Sequence, residues 1–402
     1  MMPESPYPMI PVSEAIDIIL REVKSLSPVD AAFSDALGLV LAEDIFAAEP
    51  LPPFPASVVD GYALIAGDTG SRQIIGNQTA GYVADLQVKP GQAARVTTGA
   101  PIPSGADAVV MVEDTAERDD RLELTAPIAS GDNIRQTGVD IAAGQRVLSA
   151  GTVLGPPEIG VLATIGHVTA RVYPHPRIGV MSTGDELVPP EQTPKAGQIR
   201  DANRFALMGV IEQAGGIPVD LGIVPDRQGG LAQTIGRGLI EADALLTSGG
   251  VSMGQLDLVK PWLAEHGALF FGRVNTKPGK PATFGVLKGK PFFAMPGNPV
   301  SALVSFENFV RPALLKMAGH SNLHRPRRQV ILSHKVRHSP ARTEFQRAII
   351  TRQTDGSYTA VTTGTQASSR LLSMLGANAL IILPHGQGDF SAGSVVEALI
   401  LD

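Results

Sequence analysis

From Ser13 to about Leu26, apolar positions recur every three or four residues. Ile16, Ile19, Leu20 and Val23 share one face, which predicts a helix capped by Ser13. A second short helix is expected from Ser34, ahead of the strand-like Leu39-Val40-Leu41. Pro50-Leu-Pro-Pro-Phe-Pro55 is stiff and extended and reads as a boundary. From 57 to 138 the pattern shortens to β segments at Tyr62–Ile65, Ala94–Thr97, Ala108–Val112 and Leu122–Leu124, punctuated by Gly and Pro. The clearest rhythm runs from Arg177 to Gly319. Strands are predicted at Ile178–Met181, Val219–Val224, Ala244–Thr247, Leu269–Val274 and Pro291–Met295. Helices are predicted over Asn203–Ala214, Gly229–Ile240, Asp257–His266 and Val300–Met317. That alternation argues for a parallel sheet covered on both faces. Beyond a polar, basic linker at 320–328, short β runs at Val330–Leu332, Ala348–Ile350, Tyr358–Val361, Leu380–Leu383 and Val395–Ile400 suggest a small barrel or sandwich.

The expected fold class is therefore multidomain α/β and β. A central doubly wound α/β domain is joined by small β domains, the C-terminal one barrel-like. Boundaries are drawn at 1–52 with 139–176 as one discontinuous domain, 53–138 as a small β domain, 177–325 as the α/β domain, and 326–402 as the C-terminal β domain. A length of 402 residues suits such a division.

Composition narrows the chemistry. Charged residues make up 18% and the net charge is -6, so nothing drives the chain as a whole toward nucleic acid or an anionic membrane. With no cysteine, disulfides and thiolate metal sites are excluded. The first ten residues lack a basic segment followed by an apolar core, and no apolar run nears the ~18 residues of a membrane span. A cytoplasmic location is the expectation. His320/His324 and His334/His338 have the i, i+4 spacing of helical metal pairs. Their Gly-, Pro- and Arg-rich or strand-like surroundings argue against a metal. Residues 325–352 hold eight Lys or Arg and one acid, Glu344, without interleaved aromatics. This is a solvated basic face or an oxyanion grip rather than a nucleic-acid surface.

In a doubly wound sheet, ligands collect beyond the carboxyl ends of the strands. The predicted strand ends carry Asp185 and Glu186, then Asp226, then Ser248-Gly-Gly-Val-Ser-Met-Gly254 with Asp257. Lys277-Pro-Gly-Lys280 and Pro296-Gly-Asn-Pro-Val-Ser301 follow. Gly249 and Gly250 let backbone approach a phosphate or ring, and helix N-termini offer N–H groups to anions. Lys277 and Lys280 add cations. Several carboxylates at the same rim would repel an anion unless a divalent cation intervened, so the set points to an anionic ligand with Mg²⁺. Taken singly, each segment is an ordinary turn; their shared placement makes the case.

These segments resemble the MoeA family, which includes the E domain of gephyrin and the plant molybdenum insertase. The resemblance spans nearly the whole chain. It is carried by Ser57-Val-Val-Asp-Gly-Tyr-Ala63, Val96-Thr-Thr-Gly-Ala-Pro-Ile-Pro103, Asp107-Ala-Val-Val110, Gly138-Val-Asp-Ile141 and Ser182-Thr-Gly-Asp-Glu-Leu187. Ser248–Gly254, Lys277-Pro-Gly-Lys-Pro281, Met295-Pro-Gly-Asn-Pro-Val-Ser301 and Ser368-Ser-Arg-Leu-Leu-Ser-Met374 complete it, in the family's order. The resemblance implies a molybdopterin-binding α/β domain and a molybdopterin molybdenumtransferase acting on molybdate and adenylylated molybdopterin. Mg²⁺-dependent release of AMP would leave molybdenum on the dithiolene, giving molybdenum cofactor.

Molybdate is a dianion and needs donors; by similarity these are Lys277, Lys280, Ser301, Arg342 and Ser368. Ser248, Gly249, Gly250, Pro296 and Asn298 are implied to contact the rest of the substrate. Asp185, Glu186, Asp226 and Asp257 are assigned to Mg²⁺, the nucleotide or the attacking water, with Asp185, Glu186 and Asp257 as the Mg²⁺ ligands. Asp60, Thr98 and Asp140 match functional positions of the family. A homodimer is implied, with Asp60 and Thr98 reaching across it, and the upstream adenylyltransferase is a candidate partner. Two departures stand out. Bacterial members commonly read Ser-Ala-Met-Asp where this chain has Ser57-Val-Val-Asp60, and Gln255 occupies a position that is often acidic. The chain has no appended adenylyltransferase-like domain, so it is not expected to perform the earlier step. The competing readings are molybdopterin adenylyltransferase, which leaves the N- and C-terminal parts unexplained, and a non-catalytic scaffold of gephyrin type.

Overall fold

The computed structural model describes residues 7–224, 228–251 and 258–401. Contacts divide the chain into two units: Met1–Asp30, Gly38–Ala42 and Arg171–Asp402 form one, and Ala31–Leu37 with Glu43–Ala170 form the other. This division is coarser than the four parts drawn from the sequence. Among the described residues no helix is long and apolar enough to cross a membrane.

The smaller unit is built on a six-stranded sheet. Its order is Ala108–Met111, Gly61–Leu64, Gln92–Val96, Arg72–Gln78, Arg121–Leu124, Thr115–Arg118. Two of these strands, Arg72–Gln78 and Thr115–Arg118, were not expected from the sequence. Their polar residues hide the alternation: Arg72-Gln-Ile-Ile-Gly-Asn-Gln78 buries its end residues Arg72 and Gln78. Alternate residues feed two apolar faces, Tyr62 and Leu64 on one, Ala63 and Val96 on the other.

The larger unit contains a mixed sheet ordered Ile217–Val224, Arg177–Thr183, Ala244–Ser248, Lys290–Met295, Thr283–Leu287, Ala268–Phe271. The first four strands are parallel, as the βα alternation requires. Thr283–Leu287 runs antiparallel to both of its neighbours, Lys290–Met295 and Ala268–Phe271, and so opposes the other five strands, which corrects the expectation of a wholly parallel sheet. The reason is local. Lys288 and Gly289 both adopt positive φ (48° and 80°), the geometry of a two-residue hairpin turn, so Thr283–Leu287 folds back on Lys290–Met295.

Helices cover both faces of this sheet. Asn203–Gln213 and the closing helical run from Pro299 share one core with Ile178, Val180, Phe284 and Phe293. Gln228–Glu241 and Val259–His266 build the other with Leu245 and Phe292. The N-terminal helix, Val12–Glu22, buries Ala15 and Ile19 in the first of these cores. It starts after Pro11 with no side-chain cap, so the expected Ser13 cap is absent. Proline suits that position because the first N–H of a helix is unpaired anyway. The short helix expected from Ser34 is a single 3₁₀ turn, Phe33–Asp35. The closing run is interrupted by a π segment at Phe306–Val310. Pro312 withholds the N–H that the Asn308 carbonyl would otherwise accept.

The C-terminal part closes into a five-stranded β-barrel. Thr343–Arg352 pairs with Tyr358–Thr362, then come Arg327–Leu332, Val395–Ile400 and Ala379–Leu383, which returns to Thr343–Arg352. Closure leaves no free edge among these strands. One surprise concerns Lys277. It follows Ala268–Phe271, which runs in the direction of the first four strands, as expected, but it also joins a second sheet. Thr276–Lys277 pairs in parallel with Thr343 and Glu344 of the barrel. The Lys277–Lys280 segment thus stays at the strand-end rim where the sequence placed it and is stitched to the basic C-terminal part as well.

Candidate functional site

Two neighbouring recesses occupy the larger unit. Pro281, Asn298, Ser301 and Ser369 line both.

The first recess is made of backbone. After Ala244–Ser248 the chain turns through Gly249 (φ +92°) and Gly250 (φ +68°), conformations that favour glycine. A Cβ on Gly249 would lie 2.6 Å from the Thr183 carbonyl oxygen, and one on Gly250 would lie 2.7 Å from Thr183 Oγ1. The close packing of these two strand ends opens a cleft of about 720 Å³, floored by Ser248, Gly249, Gly250, Pro296 and Gly297. Asn203 spans it: its Nδ2 donates to Ser248 Oγ at 2.8 Å and to the Gly297 carbonyl at 2.7 Å. Behind it, Asp201 accepts from Ser182 Oγ at 2.9 Å and pairs with the buried Arg204, which also reaches Asp220. Thr183 Oγ1 is buried at this cleft without a hydrogen-bond partner among the described residues.

The second recess is made of side chains. It encloses about 780 Å³ between the Lys277–Lys280 segment, the start of the closing helix and the barrel. Lys277, Lys280, Ser301, Arg342 and Ser368 all line it, as do Lys335, Arg337 and Glu344. Arg342 Nη1 donates to the Thr276 carbonyl at 3.3 Å. Asn298 Nδ2 donates to Ser368 Oγ at 3.0 Å, and the Val300 N–H donates to the Ser368 carbonyl at 3.1 Å. The Val300 N–H, at the start of the closing helix, is therefore already used to dock the barrel loop.

That loop is also held from within. Arg347 is wholly buried; its guanidinium donates to the Ser373 hydroxyl and to the Thr365, Gln366 and Ala367 carbonyls. Burial pushes this arginine down to about 10, partly opposed by the charge of Glu344. Sequence reasoning missed Arg347, Asn203 and Glu344 as parts of the site. Only Glu344 left a visible signal, as the sole acid among eight cations.

The acidic residues are divided. Glu186 lines the glycine cleft, its carboxylate folded back over Gly184. Asp185 follows the same strand but does not line either recess. Asp226 and Asp257 lie outside the described residues. Asp60, Thr98 and Asp140 belong to the smaller unit. There Asp60 Oδ1 accepts from the Thr98 N–H at 2.7 Å and from its hydroxyl at 3.0 Å, and these bonds hold the carboxyl below its usual value. Asp140 pairs with Arg135. Among the described residues no group of three or more His or acidic side chains is disposed to share a metal ion. His334 instead bonds Thr362, and His338 bonds Glu344.

Comparison with known proteins gives this geometry a family. Residues 10–166 match the MoeA N-terminal region (domains I and II), 179–316 a probable molybdopterin binding domain, and 329–401 the MoeA C-terminal region (domain IV). The chain is 36% identical to a gephyrin of Dictyostelium discoideum over 99% of its own length, and spans 63% of that relative. It is 33% identical to molybdopterin molybdenumtransferase 2 of Mycobacterium tuberculosis, covering 96% of this chain and 98% of that one. A crystal structure of the molybdopterin biosynthesis moeA protein from Pyrococcus horikoshii superposes with a TM-score of 0.79 at 31% identity, covering 98% of this chain and 100% of the other. The chain belongs to the MoeA and gephyrin E-domain family.

Proposed function

We propose that the protein is a molybdenum insertase: it moves molybdenum from molybdate to the dithiolene of adenylylated molybdopterin and releases AMP, with Mg²⁺ as cofactor. The observation that supports this most is the convergence of Lys277, Lys280, Arg342, Ser301 and Ser368 on one recess beside the glycine-built cleft. A tetrahedral dianion needs charge-assisted donors, and those five side chains supply them. The adjoining cleft admits a ring and phosphate against backbone, because Gly249 and Gly250 present no Cβ. Lys280 has no ion-pair partner among the described residues, so its ammonium is available to the oxyanion.

Mg²⁺ fits the donor chemistry at the cleft. It is typically held by one or two carboxylates plus substrate phosphates and keeps several waters, so a cage of three acids is not required. Glu186 lines the cleft and would hold it, with Asp185 beside it in sequence and Asp257 as a further ligand. Bound there, Mg²⁺ would neutralise charge on the phosphoanhydride. The protein's own part is to orient: Asn203 ties the Ser248 and Gly297 loops together, and Arg347 keeps Ser368 at the oxyanion. We further propose a homodimer, in which the Asp60–Thr98 pair serves the cleft of a partner protomer. The short, well-directed bonds to Asp60 suit a carboxylate kept ionised for such a role.

The test is reconstitution. Purified protein, adenylylated molybdopterin, molybdate and Mg²⁺ should yield AMP and a cofactor able to activate an apo-molybdoenzyme. Failure to consume the adenylylated substrate at saturating molybdate would reject the proposal. So would accumulation of that substrate from ATP and molybdopterin, which marks the preceding adenylyl transfer instead.

A further inference from the structure

A carboxylate in the wall of an oxyanion recess is an electrostatic liability unless it has another task. Glu344 lines that recess and is only 2% exposed. Both of its oxygens are engaged. Oε1 lies 2.9 Å from Lys277 Nζ, and Oε2 lies 3.1 Å from His338 Nδ1. His338 is itself buried, and its Nε2 lies 3.1 Å from the Pro384 carbonyl oxygen. The backbone beneath is braced as well, because Lys277 and Glu344 are register partners in parallel pairing and the His338 N–H donates to Asp389 at 3.0 Å.

We propose that Glu344 is a positioning residue for oxyanion binding: with His338 behind it, it fixes the Lys277 ammonium in the wall of the recess. Lysine is a point charge on a flexible four-carbon stem, and anchoring it before the ligand arrives removes most of its ordering cost. Glu344 also offsets one of the five cations of the lining, Lys277, Lys280, Lys335, Arg337 and Arg342. The two effects have opposite signs. Anchoring strengthens molybdate binding, and the negative charge weakens it. Both oxygens are already held by cationic or ring N–H donors, so little of the charge faces the ligand and the anchoring effect dominates.

This inference rests on the oxyanion reading of the recess. Titration calorimetry with molybdate alone, on the full chain, tests it without turnover. Glu344→Gln keeps the shape and should weaken molybdate about tenfold, a shift of about 1.4 kcal/mol. In steady-state assays the KM for molybdate should rise while kcat changes little. In a Lys277→Ala background the same substitution should cause no further loss, because Glu344 strengthens binding only through Lys277. Unchanged or tighter binding by Glu344→Gln would overturn the inference, as would losses that add in the double variant. If Glu344→Gln does not fold, His338→Gln decides. It should weaken molybdate by a smaller factor, again only when Lys277 is present, and wild-type affinity would overturn the inference. Failure of the unsubstituted protein to bind molybdate would instead reject the oxyanion reading itself.

Discussion

The two recesses of the larger unit are built in opposite ways for the anionic substrates we propose they hold. The cleft at the parallel strand ends is built from backbone, with Gly249 and Gly250 in positive-φ conformations against Thr183. The recess at the barrel is built from long cationic side chains anchored by acceptors: Lys277 on Glu344, and Arg342 on the Thr276 carbonyl. A backbone site is rigid and tolerates no added atom. A side-chain site supplies charge but must be braced, and the bracing falls to residues such as Glu344 and Arg347 that need never touch a ligand. The two kinds of site should therefore fail differently when altered.

The largest effect is expected at the side-chain recess. Lys280→Ala removes a charge-assisted donor at no cost to the fold. Insertase kcat/KM at low molybdate should fall roughly 10- to 100-fold, the equivalent of about 1.5–3 kcal/mol. A melting temperature near that of the parent would confirm that only the ligand contact was lost. Near-parental activity would remove Lys280 from the oxyanion site.

Gly249→Ala probes the backbone cleft and should show the reverse balance. Its Cβ would meet a carbonyl oxygen at 2.6 Å in a left-handed conformation, so stability should drop by about 1–3 kcal/mol in urea unfolding. Molybdate affinity at the other recess should change much less. Equal losses at both recesses would show that they are one mechanical unit, not two.

Ser368→Ala should be milder, because the Ser368 carbonyl still accepts from Val300 and keeps the loop docked. Loss of the neutral hydroxyl contacts should weaken molybdate severalfold, about 0.5–1.5 kcal/mol, in the same calorimetric titration.

The smallest effect concerns Asp60 in the other unit. The Thr98 N–H contributes most to lowering this carboxyl and its hydroxyl comes second. Thr98→Val should therefore raise the Asp60 value only part of the way to an ordinary carboxylate in an NMR titration. A lowered folded-state value means that the Asp60–Thr98 bonds contribute above the ordinary aspartate range and are lost as pH falls through the lowered value. Their contribution should thus be constant from about pH 5 upward. A full return to the ordinary value in Thr98→Val would show that the backbone bond does not matter.

Much of this was legible in the chain itself. Period and punctuation gave the βα alternation from Arg177 to Met317 and the five barrel strands, because those patterns are local consequences of burial on one face or two. The same holds for Gly249-Gly250 and for the two lysines, whose types announce close approach and charge. What the pattern could not give was partnership. The hairpin turn at Lys288-Gly289 sets Thr283–Leu287, a strand the pattern did not show, antiparallel in the sheet, and the pairing of Thr276–Lys277 with Thr343–Glu344 ties Lys277 at the sheet rim to the barrel. Arg347 and Glu344, 67 positions beyond Lys277 in the case of Glu344 (344 − 277), found their partners only in the folded chain. Residue type and spacing fix what a side chain can do, since those depend on neighbours along the backbone. Which charge meets which is decided by contacts between distant segments, and these exist only once the tertiary structure has formed.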